Sequence, residues 1–262
     1  MKYRKMLAKK IKRKLARIVS KETLVETYFN IPFKFYDPQV YFVNERIIEV
    51  PFVFSEISAG NKALKIFDFG CARSWISLSL ASMGHTVYGI DLRHYPFQHK
   101  NLVFRKQNIL DFNEKGFNIA IALSTLEHVG LGYYGEENSS SSLTEVLEKI
   151  NELLVDGGRF LLTIPAGISS TDRFMRSFTP DEIEKRVESA GFSLIKSRYY
   201  LRQNFQQWLP CPRGKILEIS NLPSDRKKAS SGVNGAGCLV FEKTVVLPTS
   251  KKKADHFGGF ST

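Results

Sequence analysis

The chain has 262 residues, of which 43% are hydrophobic, 12% aromatic and 24% charged. This composition is sufficient for one large α/β domain, too small for two independent enzyme domains and too aromatic for a disordered chain. The three cysteines are widely spaced and contain no C-x-x-C pair. They argue against a disulfide framework or a zinc knuckle, and they favour a reducing, cytoplasmic location.

The net charge of +12 is concentrated near the two ends of the chain. The first nineteen residues contain nine lysines and arginines and no acid, and the tail adds a further net +2, which leaves about +1 for the body. A surface that binds a phosphate backbone needs clustered cations across its contact face. The body therefore gives no strong case for a nucleic-acid partner.

Residues 1–19 predict a basic amphipathic helix, because apolar side chains recur at helical spacing among the cations: Leu7, Ile11, Leu15 and Ile18. Such a helix can lie on an anionic membrane, so we expect peripheral contact with the inner membrane surface. A solvated helix, or one that binds acidic protein or RNA, is the alternative. No apolar run reaches the roughly 18–20 residues that cross a bilayer, and the basic segment is not followed by the apolar region of a secretory signal.

The rest of the first predicted unit, which spans residues 1–62, is an aromatic-rich entry segment. Its prolines disfavour long helices: Pro32, Pro38 and Pro51. A polar patch, Asn44-Glu45-Arg46, precedes the apolar run Ile47–Phe54.

From residue 63 onwards, predicted strands alternate with predicted helices. The strands are Lys65–Gly70, Thr86–Leu92, Leu102–Gln107, Ile119–Ser124, Arg159–Ile164, Ser193–Tyr200 and Gly237–Val246. The helices are Ser74–Met83, Leu143–Leu154 and a segment from the cap Thr179 to Ala190. This order predicts a Rossmann-like, doubly wound, mostly parallel sheet of seven strands over residues 63–248, with a long excursion over Leu209–Gly235 and a disordered tail over 249–262.

A loop with one acid and one glycine follows the first predicted strand: Asp68-Phe69-Gly70-Cys71-Ala72-Arg73-Ser74. Ligands of open parallel sheets bind beyond the carboxyl ends of the strands, and Gly70 permits a close backbone approach there. Ala72 and Ser74 keep the next turn small. A dinucleotide site would need further glycines for its pyrophosphate, whereas an acid suits a ligand with an ammonium and a sulfonium.

The next two strand ends carry side chains typical of a nucleoside site. Asp91 lies about 20 residues beyond the loop, where a carboxylate can accept from both hydroxyls of a ribose. Asn108 follows the third predicted strand, where an amide can meet an adenine edge.

Residues 65–166 resemble the class I S-adenosylmethionine-dependent methyltransferases. D-F-G-C-A-R-S corresponds to the family's D-x-G-x-G-x-G loop, with Ala72 and Ser74 in place of the second and third glycines. Asp91 corresponds to the ribose acid, and Asn108 stands where Asp is usual. A-L-S-T-L-E-H-V corresponds to the fourth-strand motif, and V-D-G-G-R-F-L-L-T-I-P to the element around strand five. The resemblance implies an S-adenosyl-L-methionine cofactor bound by Asp68, Gly70, Ala72, Ser74, Asp91, Leu92, Asn108, Ile109 and Ser124.

Three flanking segments resemble a methyltransferase subgroup associated with surface polysaccharide synthesis: Y-F-V-N-E-R-I-I-E-V-P-F-V, G-I-D-L-R-H-Y-P-F and A-L-S-T-L-E-H-V-G-L-G-Y-Y-G. This resemblance implies O-methylation of a sugar or glycan precursor. Methylation of another small molecule or a membrane lipid is one alternative, and a methyltransferase-like domain that binds the cofactor without turnover is another. RNA methylation ranks last because the body is nearly neutral.

Glu127 and His128 follow the fourth predicted strand, whose end should face the methyl group. A sugar hydroxyl benefits from a general base, and histidine has the ordinary pKa for that role at neutral pH. Either residue is a candidate, and the pair could equally brace the loop. Tyr133 and Tyr134 are candidates for stacking on a sugar ring, and Arg173 for binding an anionic acceptor, with a structural loop and a surface charge as alternatives. Arg93, which follows the ribose acid, could line the pocket or lie in a solvated turn.

The histidines and cysteines predict no metal site, because they show no ligand cluster with structural-zinc spacing.

Overall fold

The computed structural model describes residues 43–57, 62–72, 74–132, 142–204, 207–222 and 233–244. Several predictions fall outside the described residues: the basic helix over 1–19, Arg73, Tyr133, Tyr134 and the tail over 249–262.

The secondary structure alternates as the sequence indicates. The helices are α1 (Arg46–Ile57), α2 (Ile76–Ser82), α3 (Leu143–Leu153), α4 (Pro180–Ser189) and α5 (Arg213–Ile216). The strands are β1 (Lys65–Phe69), β2 (Thr86–Asp91), β3 (Leu102–Lys106), β4 (Phe117–Leu123), β5 (Leu154–Pro165), β6 (Ser170–Thr171), β7 (Arg176–Ser177), β8 (Phe192–Arg202), β9 (Trp208–Cys211) and β10 (Gly235–Lys243). Short 3₁₀ turns cover Ile109–Asp111 and Leu126–His128.

The main sheet has the order β3-β2-β1-β4-β5-β10-β8-β9. Neighbouring strands from β3 to β5 pair in parallel, while β10 runs antiparallel to both β5 and β8. The predicted Rossmann-like, mostly parallel α/β fold is therefore confirmed.

The predicted number of seven strands is wrong, because the sheet has eight strands within the described residues alone. The additional strand, β9, pairs antiparallel with the end of β8 and includes Pro210. Proline has no backbone N–H and is confined to the edges of sheets. The prolines that made Leu209–Gly235 resemble an irregular excursion are thus compatible with a short edge strand.

Two apolar layers cover the two faces of the sheet. α1 and α2 pack on one face through side chains such as Val53 and Leu80. α3 and α4 pack on the other face through side chains such as Ile150 and Ile183. β4 is apolar almost throughout because it is buried on both faces, as predicted.

α1 corrects the expectation that the prolines of the entry segment disfavour a long helix there. It is a helix of twelve residues with Pro51 inside it. A proline within a helix removes one backbone hydrogen bond. Phe52, Val53 and Ile57 are buried in the layer beneath α1, and this apolar burial compensates for the lost bond. The helix precedes the predicted domain boundary at residue 62 and nevertheless packs on the sheet.

The order of the strands defines where a ligand crevice lies. The chain leaves β1 towards β2 and β3 on one side and then continues through β4 and β5 on the other. The carboxyl ends of β1 and β4 therefore flank a topological switch point, where open α/β sheets bind ligands. Among the described helices, none is both long and apolar enough to traverse a bilayer.

Candidate functional site

Gly70 brings together the two loops that flank the switch point. Its φ is +81°, a left-handed conformation that glycine adopts without steric cost. A Cβ added to Gly70 would lie 2.3 Å from Oγ1 of Thr125, which follows β4. The predicted cofactor loop can therefore contact the loop after β4 only because residue 70 has no side chain.

Asp68 lies at the start of this loop and connects it to α2. Its carboxylate is buried and accepts a hydrogen bond from Ser77 in α2. Burial raises the pKa of Asp68 to about 6, and the Ser77 hydroxyl opposes that rise. The contact ties β1 to α2, and the predicted role of Asp68 towards a ligand remains a prediction.

Ala72 and Ser74 are buried small residues in the turn between β1 and α2. The Ser74 hydroxyl accepts from the backbone N–H of Ile76 at 3.1 Å and so helps to begin the helix. The backbone N–H of Ala72 donates to Oδ2 of Asp91 at 2.9 Å. This bond connects the predicted cofactor loop to the predicted ribose acid.

Asp91 accepts four hydrogen bonds from described residues. Besides Ala72, Arg93 donates its backbone N–H at 2.8 Å and its Nε at 3.0 Å to Oδ1, and its Nη2 at 3.1 Å to Oδ2. The Asp91 side chain is 5% exposed and that of Arg93 is 33% exposed. The sequence allowed two positions for Arg93, in the lining of the pocket or in a solvated turn. In the structure, Arg93 forms an ion pair with Asp91. Leu92, between them, is half-buried.

Asn108 and Ile109 lie just beyond β3. Oδ1 of Asn108 accepts from the backbone N–H of Leu110 at 3.1 Å and caps the short turn, while Ile109 is buried. Polar groups after β1, β2 and β3 thus share one edge of the sheet, as the strand ends predict.

Ser124 connects the end of β4 to α1. It adopts a φ of +45°, which is uncommon for a residue with a side chain. Its backbone N–H donates to Thr163, and its hydroxyl donates to Oε1 of Glu49 at 2.7 Å. The other Glu49 oxygen accepts from Arg46, and the Glu49 side chain is fully buried.

Glu49 was not predicted as a site residue, although the sequence contains a signal for it. Glu49 is a single carboxylate within the apolar run Ile47–Phe54. A carboxylate that is buried with its apolar neighbours requires a partner, so such a residue indicates a polar site.

Glu127 is buried to 2% exposure, and its Oε2 has no hydrogen-bond partner among the described residues. Burial raises its pKa well above the ordinary value, and the nearby Glu49 and Glu45 carboxylates raise it further. Burial therefore favours the protonated form of the Glu127 carboxyl.

His128 is held by the loop after β6. Its Nδ1 lies 2.6 Å from the carbonyl oxygen of Phe174. Because a carbonyl only accepts, Nδ1 carries the proton and Nε2 of the neutral ring carries the lone pair. Nε2 lies 3.8 Å from Oε1 of Glu127. Burial lowers the pKa of His128 to about 4, so the ring is neutral at neutral pH.

Arg173 is exposed on the turn that holds His128. Asp172 shapes this turn by accepting from the backbone N–H groups of Phe174 and Met175 at 2.7 and 2.8 Å. Arg176 donates to the carbonyl of Val129 at 2.5 Å. The loops after β4 and β6 are thereby joined around His128.

Within the described part of the chain, no group of three or more His, Cys, Asp or Glu side chains is arranged to hold a metal ion.

No family model matches the chain, and no curated protein matches it. Solved structures do. The 1,6-didemethyltoxoflavin-N1-methyltransferase of Burkholderia thailandensis, solved with bound 1,6-didemethyltoxoflavin and S-adenosylhomocysteine, is 17% identical, with 74% of this chain and 76% of that chain covered and a TM-score of 0.50. The chain has the class I methyltransferase fold.

The cyclase SpnF shares this fold. It is 15% identical, with 75% of this chain and 80% of that chain covered and a TM-score of 0.52. A fold that accommodates both a methyltransferase and a cyclase does not by itself define the reaction.

Proposed function

We propose that this chain is an S-adenosylmethionine-dependent methyltransferase that methylates a hydroxyl oxygen of a sugar or glycan precursor. The observation that carries the proposal is the arrangement at the switch point. There, three neighbouring strands of a methyltransferase fold, β2, β1 and β4, end in a buried carboxylate (Asp91), a close glycine turn (Gly70) and a loop with a neutral histidine (His128).

The residues at this edge fit the proposed cofactor. Asp91 would hold the ribose hydroxyls, Asn108 and Ile109 would border the adenine, and Gly70 and Ser124 would line the methionine end. Ala72 and Ser74 leave the turn small enough for close approach. When bound, S-adenosylmethionine supplies an electrophilic methyl group on a sulfonium.

His128 is suited to accept a hydrogen bond from the acceptor hydroxyl at Nε2. During transfer a new C–O bond forms, the S–CH₃ bond breaks, and the hydroxyl proton moves to Nε2. Because an alcohol oxygen becomes strongly acidic as it gains a methyl group, a weakly basic neutral imidazole is sufficient to remove that proton. The Phe174 carbonyl keeps the ring in the tautomer this role needs.

Glu127 is a less suitable base, because its burial favours the protonated form of the carboxyl, whereas a base must begin deprotonated. In the proposal it donates a hydrogen bond that orients the acceptor. Tyr133 and Tyr134 would stack on the sugar ring, and Arg173 would bind an anionic substituent.

The cofactor assignment can be tested by calorimetry with S-adenosylmethionine and S-adenosylhomocysteine. Asp91→Ala should weaken both by about 1.5–3 kcal/mol, the scale of charge-assisted hydrogen bonds. Asp111→Ala, on the exposed end of the turn after β3, is the matched control and should change neither affinity. Tight binding of NAD without binding of either adenosyl ligand would refute the assignment.

The catalytic assignment can be tested with His128→Ala. Turnover should fall by roughly 10²–10⁴-fold while the cofactor affinity stays nearly unchanged. Glu127→Gln, which keeps a neutral hydrogen-bonding side chain, should retain much more activity. Unchanged turnover in His128→Ala would remove the histidine from the mechanism.

The acceptor class can be tested by mass spectrometry of surface glycans from cells with and without the protein, which should differ by the mass of methyl groups. Methylation of a small molecule or lipid in place of glycans would support the first alternative. Cofactor binding with no turnover on any acceptor would support a domain that binds without catalysis.

We further propose that residues 1–19 contact an anionic membrane, where glycan precursors on lipid carriers would be encountered. The support is their nine cations and their apolar stripe. The full-length chain should float with anionic vesicles more than with neutral ones, and more than a chain that begins at residue 20. Equal flotation of the two chains would contradict the proposal.

A further inference from the structure

Each oxygen of the Asp91 carboxylate accepts one backbone and one side-chain hydrogen bond. Oδ1 accepts from the backbone N–H and from Nε of Arg93, and Oδ2 accepts from the backbone N–H of Ala72 and from Nη2 of Arg93. A carboxylate has about four lone-pair positions, so these four donors use its accepting capacity. No additional donor can bind Asp91 unless one of these is released.

The guanidinium is the group that can leave. The two backbone donors are fixed by the turns that follow β1 and β2. Asp91 itself is almost fully buried, whereas one third of the Arg93 side chain is exposed and can move into water with its charge hydrated. Release of Arg93 would free one position on each carboxylate oxygen.

A ribose needs the same two positions, because its vicinal hydroxyls can donate one hydrogen bond to each oxygen of a carboxylate. We propose that the Arg93 guanidinium occupies the ribose-diol site of the ligand-free protein and is displaced by adenosyl ligands. Arg93 thereby lowers the affinity of the site for ligands with two hydroxyls, and it reduces the preference of the site for them over ligands without those hydroxyls. The inference rests on the proposed function in one respect, that Asp91 is the ribose acid.

The selectivity follows from the exchange of bonds. A ligand with both hydroxyls replaces the two side-chain donors it removes, so Asp91 stays fully paired. A ligand without them leaves a buried carboxylate short of donors if Arg93 departs, which is costly. Such a ligand therefore binds with Arg93 still in place and gains nothing from its removal.

The experiment is calorimetric titration of the full chain with S-adenosylhomocysteine, in the wild type and in Arg93→Ala. The variant should bind about 3- to 10-fold more tightly, because a partly exposed ion pair no longer competes with the ribose. Arg93→Gln, which keeps most of the side-chain length, should also bind more tightly than wild type. Arg105→Ala removes an equal charge from an exposed position on β3 and should stay within twofold of wild type.

Two nucleosides then test the selectivity by competition with S-adenosylhomocysteine. Adenosine should gain affinity in Arg93→Ala by a similar factor, and 2′,3′-dideoxyadenosine should not. Weaker or unchanged binding of S-adenosylhomocysteine by both Arg93 variants would overturn the inference, as would an equal gain for the two nucleosides. Failure of the wild type and all variants to bind S-adenosylhomocysteine would instead overturn the proposed function, and this inference with it.

Discussion

Gly70→Ala is expected to destabilise the fold through a steric clash that the same substitution at Gly116 does not cause. A left-handed conformation costs a residue with a Cβ about 1–2 kcal/mol. Gly116 has a φ of +83°, close to the +81° of Gly70, but apart from its chain neighbours no atom of the described residues lies within 4 Å of a Cβ added there. Gly116→Ala therefore measures the conformational cost alone. In Gly70→Ala the new methyl group also meets three Thr125 side-chain atoms at 2.3–2.9 Å. Such overpacking adds about 1–3 kcal/mol.

The free energy of unfolding is measured in urea for Gly70→Ala, for Gly116→Ala, for Thr125→Gly and for the double variant that combines Gly70→Ala with Thr125→Gly. Because Thr125→Gly removes the clashing atoms, the double variant should recover about 1–3 kcal/mol relative to the sum of the single changes. S-Adenosylhomocysteine binding should fall in Gly70→Ala and remain in Gly116→Ala. Equal losses of stability for the two alanine variants, with no coupling to Thr125, would refute the argument that Gly70 serves loop contact.

Three further predictions concern other parts of the structure. The pKa of His128 is about 4 in the folded chain, below the ordinary 6.5 that applies when the chain is unfolded. As the pH falls, the unfolded chain therefore binds a proton first, and the free energy of unfolding decreases between pH 6.5 and 4. Urea unfolding should show a loss of about 2 kcal/mol between pH 7 and 5 that is absent in His128→Gln. Glu49→Ala leaves the Arg46 guanidinium without its carboxylate partner Glu49 and should lower the free energy of unfolding by about 3 kcal/mol in the same assay. Glu148→Ala, on the exposed side of α3, is the control and should change it little. Thr179→Ala removes the hydroxyl that accepts from the first turn of α4 and should lower thermal stability by about 1 kcal/mol, with Thr179→Ser largely unaffected.

The sequence predicts the sheet well because strand periodicity and helix caps are local signals. Thr179 and Pro180 indicated the start of α4, and both stand where expected. Helix α1 was missed because Pro51 is a strong local breaker, and only burial against strands far along the chain overrides it. Strand β9 was missed for a similar reason, since Pro210 is tolerated only because β9 lies at the edge.

The candidate site was partly predictable because the carboxyl ends of parallel strands meet at one edge. Asp91, Asn108 and His128 could be selected from their positions after strands. The Asp91–Arg93 ion pair was not predictable, because the side chains of two residues that are two positions apart in a turn can lie on the same side of the turn or on opposite sides. The contact of Glu49 with Ser124 joins residues 75 positions apart, and no periodicity encodes that distance.

The central strands are shared between the two apolar layers, and this sharing has a consequence for unfolding. Phe67 of β1 lies in one layer and its neighbour Ile66 in the other. Along β4, Ala120 and Ile121 alternate in the same way. If one layer unfolds, it exposes the strands against which the other layer packs. The described core should therefore unfold as one cooperative unit. The loops after β1 and β4 extend from those same strands, which makes the geometry around Gly70 and Ser124 dependent on both layers at once.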